Sequence, residues 1–81
     1  MNIYVGNLSW SMSDDDLSNL FTQFGSVSSA KILKDKVSGR SKGFGFVEME
    51  SNAEATKAIR EMNDSTIEGR NIVVNLAKQR D

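Results

Sequence analysis

Hydrophobic positions in this chain switch between two spacings, and the switches mark out the elements. Ile3 and Val5 alternate with Tyr4, which predicts a strand over residues 2–6 that Gly6 and Asn7 end. Leu8 is a core residue at the start of a loop. Ser9 to Met12 continue that loop, with Trp10 expected as a packed lid on the core edge. The spacing then becomes helical. Leu17, Leu20, Phe21 and Phe24 form one apolar stripe. Ser13 with Asp16 makes a capping box, Asp14 and Asp15 suit the positive end of the helix dipole, and Gly25 is placed to cap the far end.

Strand spacing returns over Val27 to Leu33. Val27, Ala30 and Ile32 point inward, and the uneven step from 27 to 30 implies a bulge or a late start. Lys31 and Leu33 fall on the other face. Asp35 to Ser41 is a turn-rich basic loop, expected to be a mobile arm, with Gly39 supplying backbone freedom. A third strand runs over Lys42 to Met49. Ser51 and Glu54 read as a capping box for a second helix, Asn52 to about Met62, whose inner face is Ala55, Ala58, Ile59 and Met62. Asn63 and Asp64 break it. Thr66 to Arg70 is a connector with room for a small extra hairpin. Asn71 to Leu76 is the last strand, with Ile72, Val74 and Leu76 inward and Val73 and Asn75 outward. Residues 77–81 are a polar tail expected to fray.

The order strand, helix, strand, strand, helix, strand predicts one α+β domain over residues 1–81. It is a ferredoxin-like β-α-β-β-α-β sandwich: a four-stranded antiparallel sheet with both helices on one face. Right-handed crossovers put the first and third strands in the centre and the fourth and second at the edges.

That topology gives the third strand its meaning. Gly45, Val47 and Met49 point to the core, so Phe44, Phe46 and Glu48 point to the face that no helix covers. Tyr4 on the neighbouring strand joins them. Three rings on a wet face suit flat, stackable ligands, above all nucleic-acid bases.

Composition narrows the alternatives. The chain has no cysteine and no histidine, which removes disulfides, thiolate metal sites and the commonest general base. Neither a cofactor nor a metal is expected. No apolar run approaches membrane-spanning length and no signal peptide opens the chain, so a soluble, cytoplasmic protein with no membrane partner is expected. The net charge of −1 argues against a strong non-specific polyanion binder. Its distribution is uneven, however. Lys31 to Lys42 carries a net charge of +4, Lys78 and Arg80 add positive charge near the end, and the helices are acidic.

Two motifs in order give the chain its resemblance: Ile3-Tyr4-Val5-Gly6-Asn7-Leu8 and Lys42-Gly43-Phe44-Gly45-Phe46-Val47-Glu48-Met49. The second fits the pattern basic-Gly-aromatic-small-Phe-Val-x-aromatic except at its last position, where Met49 points inward. The chain resembles the RNA recognition motif family over nearly its whole length, and looks closest to small single-domain bacterial members. The resemblance implies that Tyr4 and Phe46 each stack a base and that Phe44 packs against sugars. Lys42 would meet a phosphate or a base edge. Asn75 and the backbone around Ala77 would read a base edge. Lys31, Lys34, Arg40, Lys78 and Arg80 would attract phosphates, and Asn7 and Glu48 would be polar readers on the face. The implied partner is single-stranded RNA, bound with weak to moderate affinity, with single-stranded DNA as a second candidate. The implied role is post-transcriptional, or that of an RNA chaperone.

Two rival readings stay open on sequence alone. The aromatic face, or the acidic helix face, could hold a protein partner. A small hydrolase of the same topology would need a convergent site, and no separated carboxylate pair is expected on the ring face.

Overall fold

The computed structural model describes residues 1–77. Its elements are β1 (Asn2–Gly6), α1 (Asp14–Thr22), β2 (Val27–Lys34), β3 (Ser41–Met49), α2 (Asn52–Met62), β4 (Thr66–Ile67), β5 (Arg70–Asn71) and β6 (Val73–Leu76). Four strands form an antiparallel sheet in the order β2-β3-β1-β6. This is the expected ferredoxin-like arrangement, with the first and third strands central.

The alternation of inward and outward side chains builds the core on one side only. Ile3 and Val5 of β1, Ile32 of β2, Val47 and Met49 of β3 and Val74 of β6 are buried together with Leu17, Phe21, Ala55, Ala58 and Met62 of the helices. Burying such side chains is worth about 1.5–3 kcal/mol each for the larger ones, and this drives both helices onto one face. Gly45 lets α1 come close: a Cβ there would collide with the Lys31 carbonyl oxygen and press on Leu17.

Local polar bonds set the element ends. Ser13 Oγ accepts the Asp16 N–H at 3.2 Å, and Asp16 Oδ2 accepts the Ser13 N–H at 3.1 Å. Asp14 has a further task, since its Oδ1 accepts the N–H of Ile32 on edge strand β2 at 2.8 Å. Helix α2 has half of the expected capping box. Ser51 Oγ accepts the Glu54 N–H at 3.2 Å, while the Glu54 carboxylate lies against Gly25. Gly25 therefore serves close approach as well as the helix end: α1 ends at Thr22 with Gln23 as its cap residue, and the Gly25 N–H donates to the Thr22 carbonyl at 3.3 Å.

Other expectations change in detail. The 27-to-30 irregularity is a register shift between Val27 and Ser29, and β2 runs on to Lys34. The extra hairpin exists as β4 and β5, with Glu68 and Gly69 at φ +52° and +79° in its two-residue loop. It takes Asn71, so β6 begins at Val73. Leu76 pairs with Ile3 and so faces the helix side, but it is 53% exposed because it lies past the packed layer. Met12 is buried at 5%, whereas Trp10, expected as a lid, is 69% exposed. The shorter, flexible Met side chain fills the core edge, and the indole is left outside.

Candidate nucleic-acid interface

Strand register places four side chains in one line across the open face. Lys31 pairs with Phe46, Phe46 with Tyr4, and Tyr4 with Asn75. All four lie one residue out of phase with the buried positions, so the same alternation that fills the core lifts them to the other surface. A parallel row of Ser29, Glu48 and Asn2 lies two residues along.

The three rings form a triangular cluster. Tyr4 and Phe44 have centroids 5.8 Å apart, Tyr4 and Phe46 5.9 Å, and Phe44 and Phe46 6.3 Å. Phe46 meets both neighbours edge-on, at interplanar angles of 64° and 89°. Edge-to-face packing satisfies the ring quadrupoles without stacking the rings face on face. Phe46 is 38% exposed, and Tyr4 and Phe44 are half-buried. Gly6 sets the pose of Tyr4: a Cβ on Gly6 would lie 2.7 Å from the Tyr4 hydroxyl oxygen and 3.0 Å from the ring. The phenol rests on bare backbone. Ending a strand is therefore not the only task of Gly6, and the signal for the second is its place two residues beyond Tyr4 on the same face.

Beside Phe46 the surface dips into a groove of about 300 Å³, walled by Lys31, Ser29, Glu48 and Asn2. An ammonium, a hydroxyl, a carboxylate and an amide thus surround one edge of the ring. This is the mix of donors and acceptors that a base edge requires.

The basic end of the sheet is tightly organised. β3 bulges where Ile32 pairs with Gly45 and Lys34 with Ser41, and Gly43 absorbs the kink at φ +84°. Lys42 lies within this irregular stretch, between Ser41 and Gly45, and is exposed. The loop expected as a mobile arm is closed by its own bonds. The Asp35 N–H donates to the Arg40 carbonyl at 2.7 Å and the Gly39 N–H to the Asp35 carbonyl at 2.8 Å. The Asp35 carboxylate accepts the N–H groups of Ser38 at 3.1 Å and Val37 at 2.8 Å. These two bonds, with a smaller contribution from the Lys42 charge, hold its pKa below the ordinary value, against slight desolvation. Lys34 and Arg40 stand exposed on this end.

Other expected site residues are placed differently. Asn7 sits at φ +58° and uses its amide internally: Nδ2 donates to the Asn71 carbonyl at 2.8 Å, and Oδ1 accepts from Arg70 at 3.3 Å. It ties the end of β1 to the small hairpin and lies outside the row of readers. The Ala77 N–H donates to the Asn2 carbonyl at 2.9 Å, so this first residue of the expected tail is anchored and only its carbonyl is left to read a base. Lys78 and Arg80 lie outside the described residues. Among the described residues no group of acidic side chains is arranged to hold a metal, and no helix is long and apolar enough to cross a membrane.

Comparison with known proteins follows the same outline. The family model for the RNA recognition motif matches residues 3–73. A putative RNA-binding protein, RbpA, of Synechocystis is 46% identical over all of this chain and 80% of its own length. A crystal structure of RNA-binding protein PG1 superposes with a TM-score of 0.95 at 47% identity, covering 100% of this chain and 98% of that one. A Sxl-lethal protein/RNA complex superposes with a TM-score of 0.88 at 38% identity, covering 94% of this chain and 47% of that one. Relatives at similar identity include chloroplast ribonucleoproteins of Nicotiana and Arabidopsis, so the likeness is not to bacterial members alone. The chain spans less than half the length of several curated relatives that it matches, from 23% to 45%.

Proposed function

The chain belongs to the RNA recognition motif family, and on that premise we propose that it binds single-stranded RNA on the open face of its sheet. It is a binding module rather than an enzyme. The row Lys31, Phe46, Tyr4 and Asn75 carries this reading, because it sets two stacking platforms between a cation and an amide on adjoining strands. Tyr4 and Phe46 each stack a base. Phe44, half-buried between them, packs against the sugars. Lys31, Glu48 and Asn75 meet base edges, and Lys34, Arg40 and Lys42 meet phosphates. The names of the relatives support the choice of polymer: RbpA and PG1 are called RNA-binding, and the Sxl-lethal structure contains RNA.

Magnitudes limit the strength. Stacking is worth roughly 1–3 kcal/mol per base, so two or three platforms supply about 2–9 kcal/mol before the cost of ordering the strand. About −8 kcal/mol corresponds to 1 μM. A dissociation constant on the order of micromolar or weaker follows, which suits a post-transcriptional or chaperone role in which RNA is held and released.

A chemical-shift titration with short random single-stranded RNA tests the proposal. Shifts centred on Tyr4, Phe44, Phe46 and Asn75 are expected, and a parallel DNA titration measures the preference between the two polymers. Silence at these residues with millimolar oligonucleotide would overturn it.

A further inference from the structure

Trp10 is the most exposed aromatic side chain described, and nothing in the fold requires it to be there. It occupies the tip of a tight turn in which the Met12 N–H donates to the Ser9 carbonyl at 3.1 Å. Ser9 and Ser11, on either side of it in the chain, share a hydroxyl hydrogen bond of 3.0 Å, and buried Met12 anchors the turn to the core. The indole is therefore held outward by its own loop, at a hydrophobic cost that core packing does not recover.

Its surroundings suggest what it meets. Trp10 forms one wall of a groove of about 420 Å³, and Lys34, Gly39, Arg40 and Ser41 form the other. The nearby Asp35 carboxylate turns its Oδ1 to the N–H groups of Val37 and Ser38, and Asp35 is not among the residues that line the groove. An exposed indole thus stands across a groove from two cations. The groove also continues the aromatic sheet. The Leu8 N–H donates to the Gly43 carbonyl at 2.8 Å, a bond two residues from Trp10 and one from Phe44.

We propose that Trp10 is a third base-stacking platform beside Tyr4 and Phe46, which takes a further nucleotide of the same RNA strand as it leaves the sheet past Phe44, with Lys34 and Arg40 holding that nucleotide's phosphate. This rests on the sheet-face reading above and deepens it, by setting a longer footprint than the three-ring cluster alone. A base offers the flat face that indole accepts, and its phosphate offers the charge that the opposite wall lacks.

Trp10 is the single tryptophan of the chain, so its emission reports this site alone. The probe is random-sequence single-stranded RNA in pools of fixed length, from about two to about eight nucleotides. Each pool is followed by tryptophan fluorescence and by the chemical shifts of Tyr4 and Phe46. The shortest pool is expected to move the sheet signals and leave Trp10 emission unchanged, and the longer pools to quench it. Trp10→Ala should weaken binding of the long pool roughly 5–150-fold, the equivalent of one lost stack, while sparing the shortest pool. Trp10→Phe should recover part of the loss. Sheet signals that move while Trp10 emission stays flat at every length would overturn this inference alone. Silence at both sites would overturn it together with the sheet-face reading. Quenching by polyglutamate, and not by RNA, would overturn it in favour of an acidic peptide.

Discussion

Tyr4 and Phe46 are direct register partners on β1 and β3, with ring centroids 5.9 Å apart and ring planes at 64°. The two rings meet edge to face rather than stacked, so the contact engages one face of one ring and only the edge of the other. Both hang from strands whose alternate residues, Ile3, Val5 and Val47, are fully buried. The core therefore fixes where the two platforms stand without using them.

That separation predicts how two kinds of truncation differ. Phe46→Ala or Tyr4→Ala should cost about 1–3 kcal/mol of RNA affinity per lost stack and leave the melting temperature nearly unchanged. Val47→Ala removes buried volume on the opposite side of the same strand. It should cost about 1–3 kcal/mol of stability through transfer and cavity terms, with the affinity of the remaining folded protein preserved. Thermal denaturation beside binding isotherms for the three variants measures both quantities.

Two glycines make a sharper contrast. The Cβ of Gly45→Ala would strike the Lys31 backbone, which is held in the sheet, so a stability loss of about 1–3 kcal/mol is expected. The three atoms nearest the Cβ of Gly6→Ala all belong to the Tyr4 side chain, which can swing aside. Gly6→Ala should therefore keep the fold and lose affinity, because the displaced phenol no longer lies on the backbone. Chemical shifts of the Tyr4 ring, read against the melting temperature, distinguish the two.

The sequence made most of this legible because the core and the face are one pattern read at two phases. Ile3, Val5, Val47 and Val74 specify where Tyr4, Phe46 and Asn75 must point, and the strand order follows from crossover handedness. What alternation does not control was harder to read. Trp10 and Met12 lie in one turn with nothing periodic to say which enters the core. The smaller side chain does, and the indole stays out. Asn7 looked like a reader because it adjoins the face, but a left-handed backbone and two long-range bonds commit it elsewhere. Leu76 obeys the phase of its strand and still faces water, because phase says which side a residue is on and not how far the helices extend.

Asp35 gives a prediction in pH. Its folded pKa lies below the ordinary 3.8, chiefly through the N–H groups of Ser38 and Val37. The unfolded chain therefore binds the proton more readily. The contribution of these bonds is present above the unfolded pKa and is lost as pH falls through the folded one. The Val37 and Ser38 amide shifts should titrate together, with a midpoint below 3.8. Asp35→Asn should remove that titration and loosen the turn that carries Arg40.

Salt dependence separates charge from stacking. Each phosphate neutralised on a single strand contributes about −0.7 to the slope of log affinity against log salt. Lys34, Arg40 and Lys42 are the exposed cations assigned to phosphates, and two or three of them in contact give a slope between about −1.4 and −2.1. Replacing Lys34 and Arg40 together with glutamine should flatten the slope by about 1.4 for a long oligonucleotide. Phe46→Ala should lower affinity at every salt concentration and leave the slope as it was, because a phenyl ring releases no counterions. A slope that changed with Phe46→Ala would mean that losing the ring shifts the strand off its cations. The two sets of contacts would then act as one unit, and the stacking and phosphate contributions would not add independently.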